Sequence, residues 1–144
     1  MPRLMARVLI GMGSNIEPAE QLNRAAEALR NQFGAVRFSS VYRSAAIGMD
    51  GDDFYNACCL LNSELPPARI KVLLKGLEDE QGRDRSEGSW RPRTIDLDLL
   101  WYDGAVIDDE LYRYAHAYVP AAELIALELP EDGKSSVTLV ELRL

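Results

Sequence analysis

At 144 residues and 47% hydrophobic content, the chain is long enough to bury a core without disulfide or metal staples. Its formal charge of −7 argues against a general nucleic-acid or anionic-membrane surface, and no apolar run approaches the roughly 20 residues of a membrane span. The two cysteines, Cys58 and Cys59, are adjacent and would face opposite sides of a strand, so a reduced, cytoplasmic chain without an export leader, folded as one domain over 1–144, is expected.

Residues 8–12 form a short apolar run ending near glycine and predict a first, central strand. Residues 13–18 read as a turn, with Pro18 suited to the first turn of a helix. Leu22, Ala25, Ala26 and Leu29 recur at helical spacing, which predicts an amphipathic helix over 18–32 closed by Gly34. A loosely alternating second strand over 36–43 and a loop over 44–53 come next. Residues 54–61 predict a third strand, and Pro66-Pro67 opens a second helix with Ile70, Leu73, Leu74 and Leu77 on one face. A polar loop over 82–92 precedes a fourth strand over 95–102, and Asp103-Gly104 signals a tight turn before 105–107. Past Asp108 the pattern weakens, with a short helix expected over 121–127. The order is β-α-β-β-α-β, the split βαβ of α+β ferredoxin-like folds. Both helices then fall on one face of an antiparallel sheet, and the other face is left for ligand.

The chemistry concentrates in Arg91-Pro-Arg-Thr-Ile-Asp-Leu-Asp-Leu-Leu100. On a strand, side chains alternate, so Asp96 and Asp98 project from one face while Ile95, Leu97 and Leu99 project from the other. Paired carboxylates beside a buried face call for a cation, and Mg²⁺, held by one or two carboxylates plus substrate phosphates, fits. Arg83, Arg85, Arg91 and Arg93 lie just upstream; against Asp84 and Glu87 they make a basic island of net +2 in an acidic chain. Guanidinium forks suit phosphate oxygens, so a discrete metal–nucleotide ligand is expected rather than a polyanion.

Other residues carry weaker signals. Gly11-Met-Gly13 is either a phosphate-facing loop or a tight strand-to-helix turn. Gly133-Lys-Ser-Ser136 lacks the first glycine of a P-loop, and Asp132-Gly133 reads as a hairpin turn. Asn56 follows Phe54 on one face of the third strand and is suited to the edge of a flat heterocycle, or else caps a loop. Glu78 reads by default as part of a solvated helix face. Trp90 anchors its loop or covers a ring. His116 is the one histidine, with no neighbouring metal-ligand pattern.

Together, Gly11-x-Gly-Ser-Asn15, Tyr42-Arg43, Phe54-x-Asn56-Ala57, Glu78, Gly82-Arg83-x-Arg85 and Trp90-x-Pro-Arg-Thr-Ile-Asp-Leu-Asp98 resemble the 6-hydroxymethyl-7,8-dihydropterin pyrophosphokinase family, over roughly residues 7–107. The resemblance implies pyrophosphoryl transfer from ATP to a reduced pterin with two Mg²⁺ ions. Asp96 and Asp98 would be the metal ligands, and Arg83 and Arg93 would act with them at the phosphates. Glu78, Arg85, Trp90, Arg91, Thr94 and Ile95 would lie on the nucleotide side; Ser44, Ala46, Ile47, Phe54, Asn56 and His116 on the pterin side. It further implies small-molecule partners without nucleic acid or membrane, and a monomer or weak homo-oligomer. The chain departs from the family after Asp109, where a Pro-His-Pro-x-Met-x-x-Arg-x-Phe element is missing. On the family register His116 falls where the stacking aromatic would be and Tyr114 where the arginine would be; His116 or Tyr118 would then stack on the pterin, and Arg113 would replace the lost phosphate contact. A paralogue that acts on or merely binds a different reduced pterin, or a ferredoxin-like nucleic-acid-binding module, are the alternatives.

Overall fold

The β-α-β-β-α-β order is present, with an extension that the periodicity did not carry. The computed structural model describes residues 5–45, 53–82, 95–127 and 137–144. Strands β1 (Ala6–Ser14), β2 (Val36–Phe38), β3 (Val41–Ser44), β4 (Phe54–Ser63), β5 (Asp96–Tyr102), β6 (Ala105–Val106) and β7 (Val137–Val140) form one sheet ordered β6-β5-β1-β4-β3-β7, with β2 also on β4. Every pairing is antiparallel. Helices α1 (Pro18–Phe33) and α2 (Pro67–Gly82) cover one face, and α3 (Glu110–Arg113) with α4 (Ala115–Ala122) lies on the other. Among the described residues no helix is long and apolar enough to cross a membrane.

The first face follows from sequence spacing. Leu22, Ala25, Ala26 and Leu29 of α1 are buried, and Gly34 closes the helix at φ 82° with its N–H on the Arg30 carbonyl. Ile70 and Leu74 of α2 join Val8, Ile10, Met12, Leu97 and Leu99 beneath them. Gln81 ties the two helices by donating to the Gln21 carbonyl at 2.6 Å. The Asp103-Gly104 turn has φ of 48° and 97°, the left-handed pair of a two-residue hairpin.

Three expectations need correction. First, β1 does not stop at residue 12 but runs to Ser14, so Gly11 and Gly13 lie within a strand and not in a turn. Second, the strand expected over 36–43 is broken at Ser39 and Ser40. The Ser40 N–H and Oγ both donate to Glu123, at 2.9 and 3.0 Å, instead of continuing a ladder. Third, the helix expected over 121–127 lies earlier, as α3 and α4, with Pro120 inside α4. Leu111, Ala117 and Ala121 pack there on Leu9, Cys58 and Leu100. The face expected to be left for ligand is therefore half covered, and what remains is a cleft. The adjacent cysteines do point to opposite faces: Cys59 belongs to the first core and Cys58 to the second. Burial pushes the thiol of Cys58 up well beyond its ordinary value and that of Cys59 up to about 12.

Candidate active site

The cleft holds about 220 Å³. Its floor is the ends of three neighbouring strands: Gly11 and Gly13 from β1, Phe54, Asn56 and Cys58 from β4, and Asp96, Asp98 and Leu100 from β5. Ser44 and Ala45 border one side; Glu110, His116 and Ala117 form the wall on the α3–α4 side. The alternation expected for β5 holds. Asp96 and Asp98 face the cleft, while Ile95, Leu97 and Leu99 are in the core. A bulge then intervenes, since Leu9 pairs with Trp101 but Ile10 with Leu99, leaving Leu100 without an opposite residue.

The glycines of β1 make room. A Cβ on Gly11 would stand 2.9 Å from Leu100 Cδ1, and one on Gly13 would stand 3.3 Å from Asn56 Oδ1. Both positions need a missing side chain for close packing, and neither is a phosphate-binding turn. Asn56 in turn is oriented by its neighbours. Its Nδ2 donates to Ser44 Oγ at 2.8 Å and to the Tyr42 carbonyl at 3.2 Å. With both hydrogens used, Oδ1 is left as an acceptor, and a ligand edge meeting it has to donate.

A second hollow of about 210 Å³ lies at the outer edge of β5, lined by Lys71, Leu74, Lys75 and Glu78 of α2, by Leu97, Asp98 and Leu99, and by Ile107 and Asp108. Glu78 is not on a solvated face as its default reading had it. It is buried, and its Oε2 accepts the Leu97 N–H at 2.7 Å, capping a strand edge that, among the described residues, has no partner strand there. Asp98 lines both hollows. Burial, then the charges of Glu110, Asp96, Glu78 and Asp108, push its carboxyl up from 3.8 to about 7. So much negative charge around a half-buried carboxylate fits a cation-binding position. Among the described residues no three Asp, Glu, His or Cys side chains are grouped to hold an ion by themselves.

His116, on α4, faces the cleft. Tyr118 does not: it is 2% exposed and belongs to the interior. Arg113 lines neither hollow and is paired with Asp109 at 3.5 Å. Ile95 is buried in the first core, so its side chain reaches neither hollow. Arg83, Arg85, Trp90, Arg91, Arg93, Thr94, Ala46 and Ile47 lie outside the described residues, as does the Asp132-Gly133 turn. Sequence reasoning missed Glu110, Lys71 and Lys75. The lysines' spacing of four on α2 was a usable signal for one helix face, whereas nothing local marked Glu110.

The chain is similar to proteins of one named family. The family model for 7,8-dihydro-6-hydroxymethylpterin-pyrophosphokinase matches residues 9–133. A Pseudomonas putida protein named 2-amino-4-hydroxy-6-hydroxymethyldihydropteridine pyrophosphokinase is 35% identical over 119 residues, covering 80% of this chain and 98% of that one. Proteins of the same name from Methylorubrum extorquens and Haemophilus influenzae are 36% and 34% identical. Each alignment covers 88% of this chain, and 82% and 81% of the respective relatives.

Proposed function

The chain belongs to the 7,8-dihydro-6-hydroxymethylpterin-pyrophosphokinase family, which transfers pyrophosphate from ATP to hydroxymethyldihydropterin in folate biosynthesis, and we propose that it divides that reaction between its two hollows. The observation that carries this is Asp98, which lines both. The pterin occupies the first cleft. Its amino and ring N–H donors meet Asn56 Oδ1, Phe54 packs on the ring, and His116 borders it from the α4 side. The nucleotide occupies the second, beside Lys71 and Lys75, whose ammonium groups neutralise phosphate charge.

The hydroxymethyl oxygen attacks the β-phosphorus, its bond to the AMP oxygen breaks, and the hydroxyl proton goes to solvent. Asp96 and Asp98 would hold two Mg²⁺ ions, which supply charge neutralisation and alignment of the phosphate oxygens. Arg83 and Arg93 reinforce that neutralisation, with Arg85, Arg91, Trp90 and Thr94 on the nucleotide side and Ser44, Ala46 and Ile47 on the pterin side. The chain's own contribution is mostly positioning: two substrates held on either side of one strand need little further movement to react.

Calorimetry tests this. A non-hydrolysable ATP analogue should bind at least tenfold more tightly with Mg²⁺ than without it, and 6-hydroxymethylpterin should bind more tightly after the nucleotide. Tight pterin binding to the free protein with no effect of nucleotide would contradict the shared-strand reading. The cleft wall built by His116 and Ala117, where the family's missing segment would lie, favours a second reading in which a different reduced pterin is the preferred acceptor or is bound without reaction. AMP release compared across several reduced pterins separates the two. The sheet face that a ferredoxin-like module offers to single-stranded nucleic acid is half covered here by α3 and α4. We place the protein in the cytoplasm as a monomer or weak homo-oligomer, on its reduced cysteines and acidic charge.

A further inference from the structure

His116 is the chain's one histidine, and its ring is fixed twice. Nε2 lies 3.2 Å from Glu110 Oε1. The ring also stacks on Tyr114, with centroids 5.2 Å apart and planes within 10° of parallel. The Tyr114 ring is itself under the Arg113 guanidinium at 5.6 Å, and that guanidinium pairs with Asp109. The hydrogen bond sets how the imidazole is turned in its plane, and the stack sets the plane. Glu110 comes from α3 and His116 from α4, so the pair also fixes how these short helices meet at the cleft wall.

A carboxylate cannot donate, so the imidazole nitrogen facing it has to carry the hydrogen. In the neutral ring that leaves Nδ1 with a lone pair. Among the described residues His116 makes no second hydrogen bond. Asn56, on the β4 side of the same cleft, also presents an acceptor, because both its amide hydrogens are committed to β3. Two uncommitted acceptors from opposite sides of one cleft match a planar ligand that carries donors at two positions.

We infer that Glu110 is a positioning residue for the acceptor: it holds His116 as the Nε2–H tautomer, flat against Tyr114, so that Nδ1 accepts a hydrogen bond from the bound heterocycle or its hydroxymethyl group. This rests on the first cleft being the acceptor's. Glu110 acts through His116 and does not itself touch the substrate. Its role is to present an acceptor, not to supply charge, and that difference is open to test. Glutamine at the same position keeps an oxygen that accepts from Nε2–H, whereas alanine does not.

The lone imidazole gives a spectroscopic readout that is independent of activity. Long-range proton–nitrogen correlation on the ¹⁵N-labelled full chain at about pH 8, where an ordinary imidazole is neutral, should show the Nε2–H tautomer. Glu110→Gln should keep it and Glu110→Ala should lose the preference. Adding 6-hydroxymethylpterin with the magnesium salt of a non-hydrolysable ATP analogue should shift Nδ1. In steady state, Glu110→Ala and His116→Phe should raise the acceptor KM about two- to tenfold, the range for one hydrogen bond, with the ATP KM unchanged. Glu110→Gln should stay near wild type. An Nδ1–H tautomer or an even mixture in the wild type would overturn the inference. So would equal impairment of the Gln and Ala variants, a wild-type acceptor KM in a folded His116→Phe, or an unmoved Nδ1 while calorimetry shows pterin bound. A wild-type protein that binds no pterin and releases no AMP would bring down the reading of the cleft. The imidazole spectrum would still decide whether Glu110 sets the tautomer.

Discussion

The two faces of the sheet are built differently. On the α1–α2 face, Val8, Ile10, Leu22, Leu29, Ile70, Leu74 and Ile95 are each no more than 1% exposed, large aliphatics closing on one another. On the α3–α4 face the helices are short, and α4 meets β4 through small residues, Cys58, Ala117 and Ala121, set among Leu9, Leu100, Leu111, Leu124 and Ile125. Small residues bring α4 close to β4 but bury less apolar area per contact. The short helices stop before the strand ends, and the uncovered part is where Asp96, Asp98, Asn56 and His116 meet. The larger core thus lies on one face and the candidate site on the other, with β5 serving both through its alternation.

Substitutions can break or sharpen that contrast. The largest stability effect should come from Leu74→Ala or Leu29→Ala, which open a void in the tight face and should lower unfolding free energy by about 2–5 kcal/mol. Urea titration measures the loss, and the acceptor KM should hold; a coupled rise in KM would show that the faces are not separable. Glu123→Ala comes next. Its carboxylate accepts from Ser40 twice and from the Tyr42 hydroxyl at 2.6 Å, binding the end of α4 to the break between β2 and β3. Losing hydrogen bonds to a charged acceptor should cost about 2–3 kcal/mol. The Tyr42 hydroxyl, pushed up to about 12 by burial and then by Glu123, should titrate closer to its ordinary 10.

Gly13→Val should invert the pattern of the leucine variants. Its Cβ would press on Asn56 Oδ1, so an overpacking cost of about 1–3 kcal/mol should fall on acceptor binding and raise KM roughly 5- to 150-fold. An unchanged KM would place the acceptor elsewhere. A further effect is on pH. The Asp98 carboxyl titrates higher when folded than its ordinary 3.8, at about 7, so the folded chain holds this proton more tightly than the unfolded one. Its contribution to stability is full below about 3.8 and is lost as pH rises toward about 7. In metal-free buffer Asp98→Asn should flatten that decline, and wild-type melting curves across the window provide the check.

The legible parts of the sequence were those with one dominant period. Leu22 to Leu29 gave α1, and Asp96-Leu-Asp98 gave the two faces of β5, because neighbours along the chain decide those patterns. The break at Ser39 and Ser40 was not legible, since it depends on Glu123, 83 residues away. Helices α3 and α4 were obscured because they bury alanines and a tyrosine around Pro120, a weak helical signal. Asn56 was legible as a cleft residue, but not which end of its amide is free, because that depends on Tyr42 and Ser44 across the ladder. Glu78 was misjudged as solvated because its partner is a strand edge brought in by the fold.

The central claim is that Asp98, between the two hollows, helps hold the cation that aligns both substrates. Single-turnover AMP formation by Asp98→Asn, at saturating Mg²⁺, ATP and hydroxymethyldihydropterin, measures it most directly. Loss of at least about a thousandfold in rate, some 4 kcal/mol of transition-state stabilisation, is expected with the fold intact by circular dichroism. AMP released by the folded variant within tenfold of the wild-type rate would contradict the account.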